Sequence, residues 1–262
     1  MSRSFFLFLR FFQRDFFVYK KQLRRFFVNF SFLRPLFYSF SFAYIQANII
    51  FISQQTKFVT ILLAGNMVLI LMVISFTLAA PLLFDFEEER FIDYQISILR
   101  PHLVILERIL FSSLFCFVVM LPFFPMAKLI LRTSFDTTHT SWSLVFLISY
   151  LGSLCCCAFH YLIVCAMKGS EYLPSLWMRI EIPLLILGGY IAPLHTILKL
   201  WPTFGYIVFL NPYLYVAEGF RSAILGTSEY LSISACAAGL IGFSILFTLL
   251  TFYFFRKKTD HI

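Results

Sequence analysis

The sequence predicts an all-α membrane protein with six transmembrane helices, an N-terminal amphipathic interfacial helix and a re-entrant helical hairpin between spans 5 and 6. Three observations carry this. Of 262 residues, 60% are hydrophobic and 13% charged, whereas about a quarter of a soluble domain is charged. Apolar runs recur that are long enough for a hydrocarbon core of roughly 30 Å, which takes about 20 helical residues. The basic residues gather before the first run and after the last, so the formal charge of +8 reads as membrane topology and not as a nucleic-acid patch.

Residues 1–34 predict a cytosolic helix lying in the headgroup plane. Arg3, Arg10, Arg14, Lys21, Arg24 and Arg25 recur at helical spacing on one face, and Phe5, Phe8, Phe12, Tyr19, Leu23 and Phe26 fall opposite. Arg10, Arg14, Lys21, Arg24 and Arg25 are therefore the candidate membrane-interface residues, with rings buried in an anionic leaflet and cations on phosphates. The alternative is an ordinary amphipathic helix packed on protein. Arg10, Arg14 and the lack of a small-residue cleavage site argue against a removable signal peptide.

Residues 35–262 read as one transmembrane domain. Span 1 is expected at about Leu36–Ile52, opened by Pro35 at a position that needs no donor. Span 2 covers Phe58 to about Phe84. The charged segment that follows, about 85–108, is expected at the membrane surface. Span 3 covers about Ile109–Leu131, span 4 about Leu144–Met167, span 5 about Leu173–Ile191 and span 6 about Ala237–Phe255. The Lys and Arg count of the segments on the side of the termini exceeds that of the opposite side roughly threefold, which places both termini in the cytosol.

The stretch "LNPYLYVAEGFRSAILG", Leu210 to Gly226, fits neither a span nor a free loop. Glu218 and Arg221 would each cost about 2.5–3.5 kcal/mol at the centre of a span. Pro202 and Pro212 would break its backbone ladder. An external re-entrant region over about 192–235, made of short helices broken near Asn211 and Pro212, meets both objections, provided that protein or a wet cavity surrounds it. Glu218 and Arg221, three apart, can pair on one helical face.

In "NPYLYVAEGFRSAILG" the chain resembles the membrane subunits, or permeases, of ABC exporters of the type-2 class. Asn211, Pro212, Tyr215, Glu218, Arg221 and Gly226 occupy the places of that family's Asn-Pro, Tyr, acid, Arg and Gly pattern. A second resemblance lies after span 2. There the family has a glutamate-rich start, a short coupling helix and a Pro thirteen residues after its first Glu, and Glu88 and Pro101 stand at that spacing. The family's Gly four residues after that Glu is replaced by Ile92, and the acid-base order is altered.

The resemblance implies a multi-pass protein of the bacterial cytoplasmic membrane. It also implies a second copy of the chain, a separate ABC ATPase carrying ATP and Mg, and an amphiphilic cargo such as a lipid-linked polysaccharide or lipo-oligosaccharide. An ABC drug exporter is the alternative, and an ion-coupled secondary transporter is the alternative of a different class. The chain has no GxxxxGK[ST] loop, so ATP hydrolysis is expected on a partner. Its docking surface is expected at Glu87, Glu88, Glu89, Arg90, Phe91, Tyr94 and Pro101, where charges and apolar anchors alternate. The re-entrant gate is expected at Asn211, Pro212, Tyr215, Glu218, Arg221 and Gly226.

No catalytic residue, metal ligand or resident cofactor is expected. The six cysteines lie in apolar runs without CxxC spacing and read as packing residues. His160 reads as a hydrogen-bonded core histidine. Arg179 and Glu181, two apart, are poorly placed to pair with each other.

Overall fold

The computed structural model describes residues 3–38, 41, 55–88, 90–131, 135, 138–226 and 229–259. Most of the expected span 1 lies outside these residues. Among those described, every regular element is helical.

Helix α1 (Arg3–Phe26) runs on through a π-helical stretch, Phe27–Leu33, into α2 (Arg34–Tyr38). Helix α3 (Gln55–Ala79) turns at Ala80 into α4 (Pro81–Glu88), and α5 (Arg90–Ile98) follows. Helix α6 (Pro101–Met120) is continued by α7 (Phe123–Leu131), and α8 is Trp142–Ala166. Then come α9 (Leu173–Leu176), a π turn at Trp177–Glu181 and α10 (Ile182–Leu187). The short helices α11 (Leu194–Leu200) and α12 (Pro202–Val208) lead to α13 (Pro212–Leu225) and α14 (Ile233–Thr259).

Four helical segments among the described residues are long and apolar enough to cross a membrane: Val59–Glu88, Pro101–Leu131, Trp142–Ala166 and Ile233–Thr259. They correspond to expected spans 2, 3, 4 and 6. The third expected span begins earlier than its sequence reading, because Pro101 at the first helical position supplies a preset φ and lacks only an N–H that would go unbonded there. Glu107 and Arg108 thus become buried helix residues and not loop. The expected span 5 is a chain of short pieces, interrupted by the π turn and ended at Gly188.

Helix α8 is the hub, packed against α3, α6, α13 and α14. Its sequence permits this because Gly152, Ser149, Ser153, Cys155, Cys156, Cys157 and Ala158 are small and buried. Ser149 and Ser153 return their hydroxyls to carbonyls one turn back, so close approach leaves no orphan donor. The cysteines are free and buried, as packing residues should be.

Helix α1 is seated on α6. Phe12 and Tyr19 meet Phe111, and Tyr19 and Phe26 meet Phe115, with ring centroids 5.3–5.6 Å apart. Ser31 donates to the carbonyl of Val119. The aromatic face expected to enter lipid is thus engaged by protein over Phe12, Tyr19 and Phe26, and burial pushes the Tyr19 phenol above its ordinary value. Phe5, Phe6, Phe16 and Phe17 remain exposed, as do Arg10, Lys21, Arg24 and Arg25. Arg14 departs from the cationic face by donating through Nε to Asp15 at 2.8 Å.

Candidate functional site

Among the described residues, polar constellations interrupt the apolar interior, and the three that involve charged side chains each join elements distant in sequence. The first is built on α13. Asn211 is its N-cap, accepting from the Tyr213 N–H at 3.0 Å and donating through Nδ2 to the Leu184 carbonyl at 2.6 Å. Pro212 fills the first helical position. Tyr215 donates to the Phe209 carbonyl at 2.9 Å and so closes the turn before the helix. Gly226 ends the helix at φ +98°, a conformation that costs an L side chain but not glycine. The Asn-Pro-x-x-Tyr part of the motif is therefore a device for stopping one helix and starting the next.

Glu218 and Arg221 lie inside, both 0% exposed. Arg221 Nη1 donates to Glu218 Oε1 at 2.9 Å, and Nη2 reaches the carbonyls of Gly189 and Ile61. Gly189 sits at φ +83°, which turns its carbonyl onto the guanidinium. Glu218 also accepts from the backbone N–H of Leu194 at 3.1 Å and of Leu231 at 3.4 Å. One ion pair thus gathers α3, the Gly189 turn, the start of α11 and the approach to α14. The residues expected to pair are brought together, and breaking such a pair costs about 3–5 kcal/mol because the remaining charge is buried alone. Beside it, burial and the neighbouring Glu229 push the Tyr230 phenol up to about 12.

The second constellation is one the sequence did not disclose. His160 on α8 and Glu181 in the π turn are both 0% exposed, with Nε2 and Oε1 3.1 Å apart. The contact is close enough for a charge pair, though not aligned as a hydrogen bond. Tyr213 donates to the other carboxylate oxygen at 2.8 Å. His160 Nδ1 lies 2.7 Å from the Cys156 carbonyl and 2.9 Å from the Ser75 hydroxyl of α3, so the ring is held from α3 as well as from its own helix. Glu181 lies in the π turn, whose wider winding changes which face each residue takes, and it meets His160 and Tyr213 from other elements. The His160, Tyr213 and Glu181 signal available in the sequence was only that each polar group sits in an apolar run.

The third constellation is at the opposite end of α3. Arg108 on α6 donates to Asp85 on α4 at 2.7 Å and to Gln95 on α5 at 2.8 Å. A single guanidinium therefore fixes α4 and α5 to the foot of α6. Glu87 accepts from the Ser170 N–H at 2.7 Å and ties the same turn to the segment after α8. Lys258 of α14 lies 4.2 Å from the centre of the Phe86 ring and donates to the Met167 carbonyl at 2.9 Å. Glu88 and Tyr94 face outward. The side chains of Glu89, Arg90 and Phe91 lie outside the described residues. Of the expected docking residues, Glu88 and Tyr94 are thus exposed, Glu87 is engaged within the chain, and Pro101 starts α6.

No group of three or more His, Cys, Asp or Glu suited to a metal ion occurs among the described residues. Two open clefts with cationic walls lie near helix ends: one between Lys168, Tyr172 and Arg179, about 380 Å³, and one between Arg100 and Arg256, about 580 Å³. A family model described as ABC-2 type transporter matches residues 7–225. No curated protein and no solved structure matches the chain.

Proposed function

From the premise that this chain belongs to the ABC-2 type transporter membrane family, we propose that it is the permease of an ATP-driven exporter, moving an amphiphilic substrate such as a lipid-linked polysaccharide or lipo-oligosaccharide out of the cytoplasm. As a member of that family it is a transport permease component, multi-pass and membrane-embedded. The working unit in this reading is two copies of the chain with two ATPase subunits, which bind ATP and Mg. Both termini face the cytosol of a bacterial inner membrane.

The observation that carries the reading is the braced turn at α4–α5. A surface that receives force from an ATPase must be exposed at its contact point and stiff behind it. Glu88 and Tyr94 are exposed, while Arg108 holds Asp85 and Gln95 together directly behind them. Movement of this turn would pass along α3 and α6 as rigid bodies. On the far side, α13 packs against α3 and α8, and Arg221 is bonded to the Ile61 carbonyl near the start of α3. Displacement of α3 would then be felt at Glu218 and Arg221, the proposed gate.

An amphiphilic cargo is favoured by the cleft of Lys168, Tyr172 and Arg179, where two cations and an aromatic ring border the apolar residues Leu176 and Ile180. A lipid phosphate fits the cations, and an acyl chain entering from the side fits the apolar wall. The same features would admit an anionic drug. A second reading, an ion-coupled carrier, draws on the buried His160–Glu181 pair, since such pairs mark proton relays in membrane proteins.

Purification from native membranes in mild detergent, followed by vanadate-sensitive ATP hydrolysis and vesicle transport with ion gradients collapsed, separates these readings. A stoichiometric ATPase subunit and ATP-dependent transport that survives ionophores are expected. Transport abolished by ionophores and indifferent to ATP would replace the exporter by the carrier.

A further inference from the structure

The cleft of about 580 Å³ between the start of α6 and the end of α14 is lined by Arg100, Pro101, His102, Phe252, Tyr253 and Arg256. None of these residues belongs to the α4–α5 brace or to the two buried clusters. Its walls come from helix ends far apart in sequence. Arg100 precedes the first turn of α6, and Arg256 lies in the last turn of α14. Arg100, His102 and Arg256 are all exposed. Two arginines and a histidine line one opening, a donor set that suits an oxyanion with several acceptor atoms, and the planar fork of arginine suits phosphate. The N-terminus of a long helix adds partial positive charge on the same side.

A second, independent feature decides between a free and a membrane-borne phosphate. Ile241, Ile245, Leu249 and Tyr253 stand four residues apart along α14, hence on one ridge that slants round the helix, and they are 46%, 56%, 59% and 61% exposed. This apolar stripe runs along a candidate membrane span and ends at the cleft, where Tyr253 is both its last residue and part of the lining. In a bilayer this stripe faces acyl chains and leads directly to the cleft mouth. A diacyl lipid would lay its chains along the stripe and bring its headgroup to Arg100 and Arg256. Basic side chains at the end of a span are where an anionic leaflet is bound.

We propose that this cleft binds the phosphate headgroup of an anionic membrane lipid, with the acyl chains along the Ile241–Tyr253 stripe. Because the bound lipid would bridge the start of α6, which carries Arg108, to the end of α14, it would hold together the two ends on which the α4–α5 turn rests. The site is separate from the cleft at Lys168 and Arg179, so its existence does not depend on the cargo proposed above.

The test is native mass spectrometry of the purified full chain equilibrated with mixed micelles of phosphatidylglycerol and phosphatidylcholine. The wild type is expected to retain phosphatidylglycerol in preference by roughly tenfold or more, on the order of what two basic residues near a surface supply. Arg100→Gln/Arg256→Gln is expected to lose that preference, Arg100→Lys/Arg256→Lys to keep part of it, and Lys257→Gln, a neighbouring cation outside the lining, to keep all of it. Absence of preference in the wild type, its survival in the double Gln variant, or an equal loss in Lys257→Gln would overturn the proposal. Soluble glycerol phosphate retained as well as the lipid would also overturn it, by reassigning the cleft to a free phosphate ligand.

Discussion

Tyr213 donates a hydrogen bond of 2.8 Å to Glu181, and through it α13, which begins at the Asn211–Pro212 break, is fastened to a π turn across the bundle. Glu181 in turn faces His160. The carboxylate is thus held from α8 and from α13 while belonging to neither. Tyr213→Phe removes the donor without altering shape, and an unsatisfied buried acceptor costs about 1–3 kcal/mol. The thermal midpoint of the detergent-solubilised protein, followed by Trp177 fluorescence from within the same turn, is expected to fall by several degrees. Glu181→Ala is expected to lower it further, because His160 and Tyr213 both lose their partner. An unchanged midpoint in both variants would mean that the three groups are adjacent without being coupled.

The Glu218–Arg221 pair makes a different prediction because its members also satisfy backbone groups. Arg221→Met strands Glu218 in an apolar interior and is expected to cost about 3–5 kcal/mol, seen as loss of folded protein on extraction. Glu218→Gln keeps a carbonyl acceptor for the Leu194 N–H but leaves Arg221 without a counter-charge. The double variant Glu218→Gln/Arg221→Met removes both charges and is expected to be more stable than Arg221→Met alone. Additive losses in the double-mutant cycle, or wild-type folding and transport in both single variants, would remove the pairing from the account.

How far these features were legible depended on whether local spacing determined them. The Asn211–Pro212 break, the pairing of residues 218 and 221, and the four long apolar helices follow from properties within one element, such as a cap, a three-residue helical step or a hydrophobic run. The His160–Glu181–Tyr213 cluster does not. It needs a π turn, which has no simple periodic signature, and three elements whose packing is set by small residues on α8. The same limit applies to α1, where Phe12, Tyr19 and Phe26 form an amphipathic face that suits a bilayer or a neighbouring helix equally well; the aromatic residues of α6 decided the matter. Arg108 falls at the end of the charged segment expected at the membrane surface, yet it is buried, because Asp85 and Gln95 on two other helices supply the partners that its burial requires.

On the proposed docking surface, Glu88 and Tyr94 make the contact-level prediction. Both are exposed on a turn that is fixed from behind. Glu88→Lys reverses a rim charge, which changes association more than folding, and Tyr94→Ala removes an aromatic anchor of the kind that dominates interfaces. Each is expected to reduce copurification of the ATPase subunit several-fold while leaving the thermal midpoint unchanged. Glu87→Gln is expected to reduce it less, since that carboxylate is already engaged with the Ser170 N–H. Undiminished copurification with both Glu88→Lys and Tyr94→Ala would place the ATPase elsewhere.

In the proposed exporter, a change at Arg108 distinguishes binding of the ATPase from transmission of its stroke. Replacing it by Leu leaves Glu88 and Tyr94 in place but disconnects α4 and α5 from the foot of α6. Asp85 retains a quarter of its side chain exposed and can be hydrated, so the loss of stability is held to about 1–3 kcal/mol, the cost of hydrogen bonds to a charged group. The expected result is an ATPase that still copurifies and still hydrolyses ATP, with transport per ATP falling by an order of magnitude or so, because a turn free to rotate moves without dragging α6. Arg108→Lys is expected to restore this only in part: a single ammonium is a compact point charge without the planar fork that lets arginine serve Asp85 and Gln95 together. Transport that stays in proportion to ATP hydrolysis in Arg108→Leu would show that the stroke travels by another route, leaving α3 and its contact with Arg221 as the connection to test.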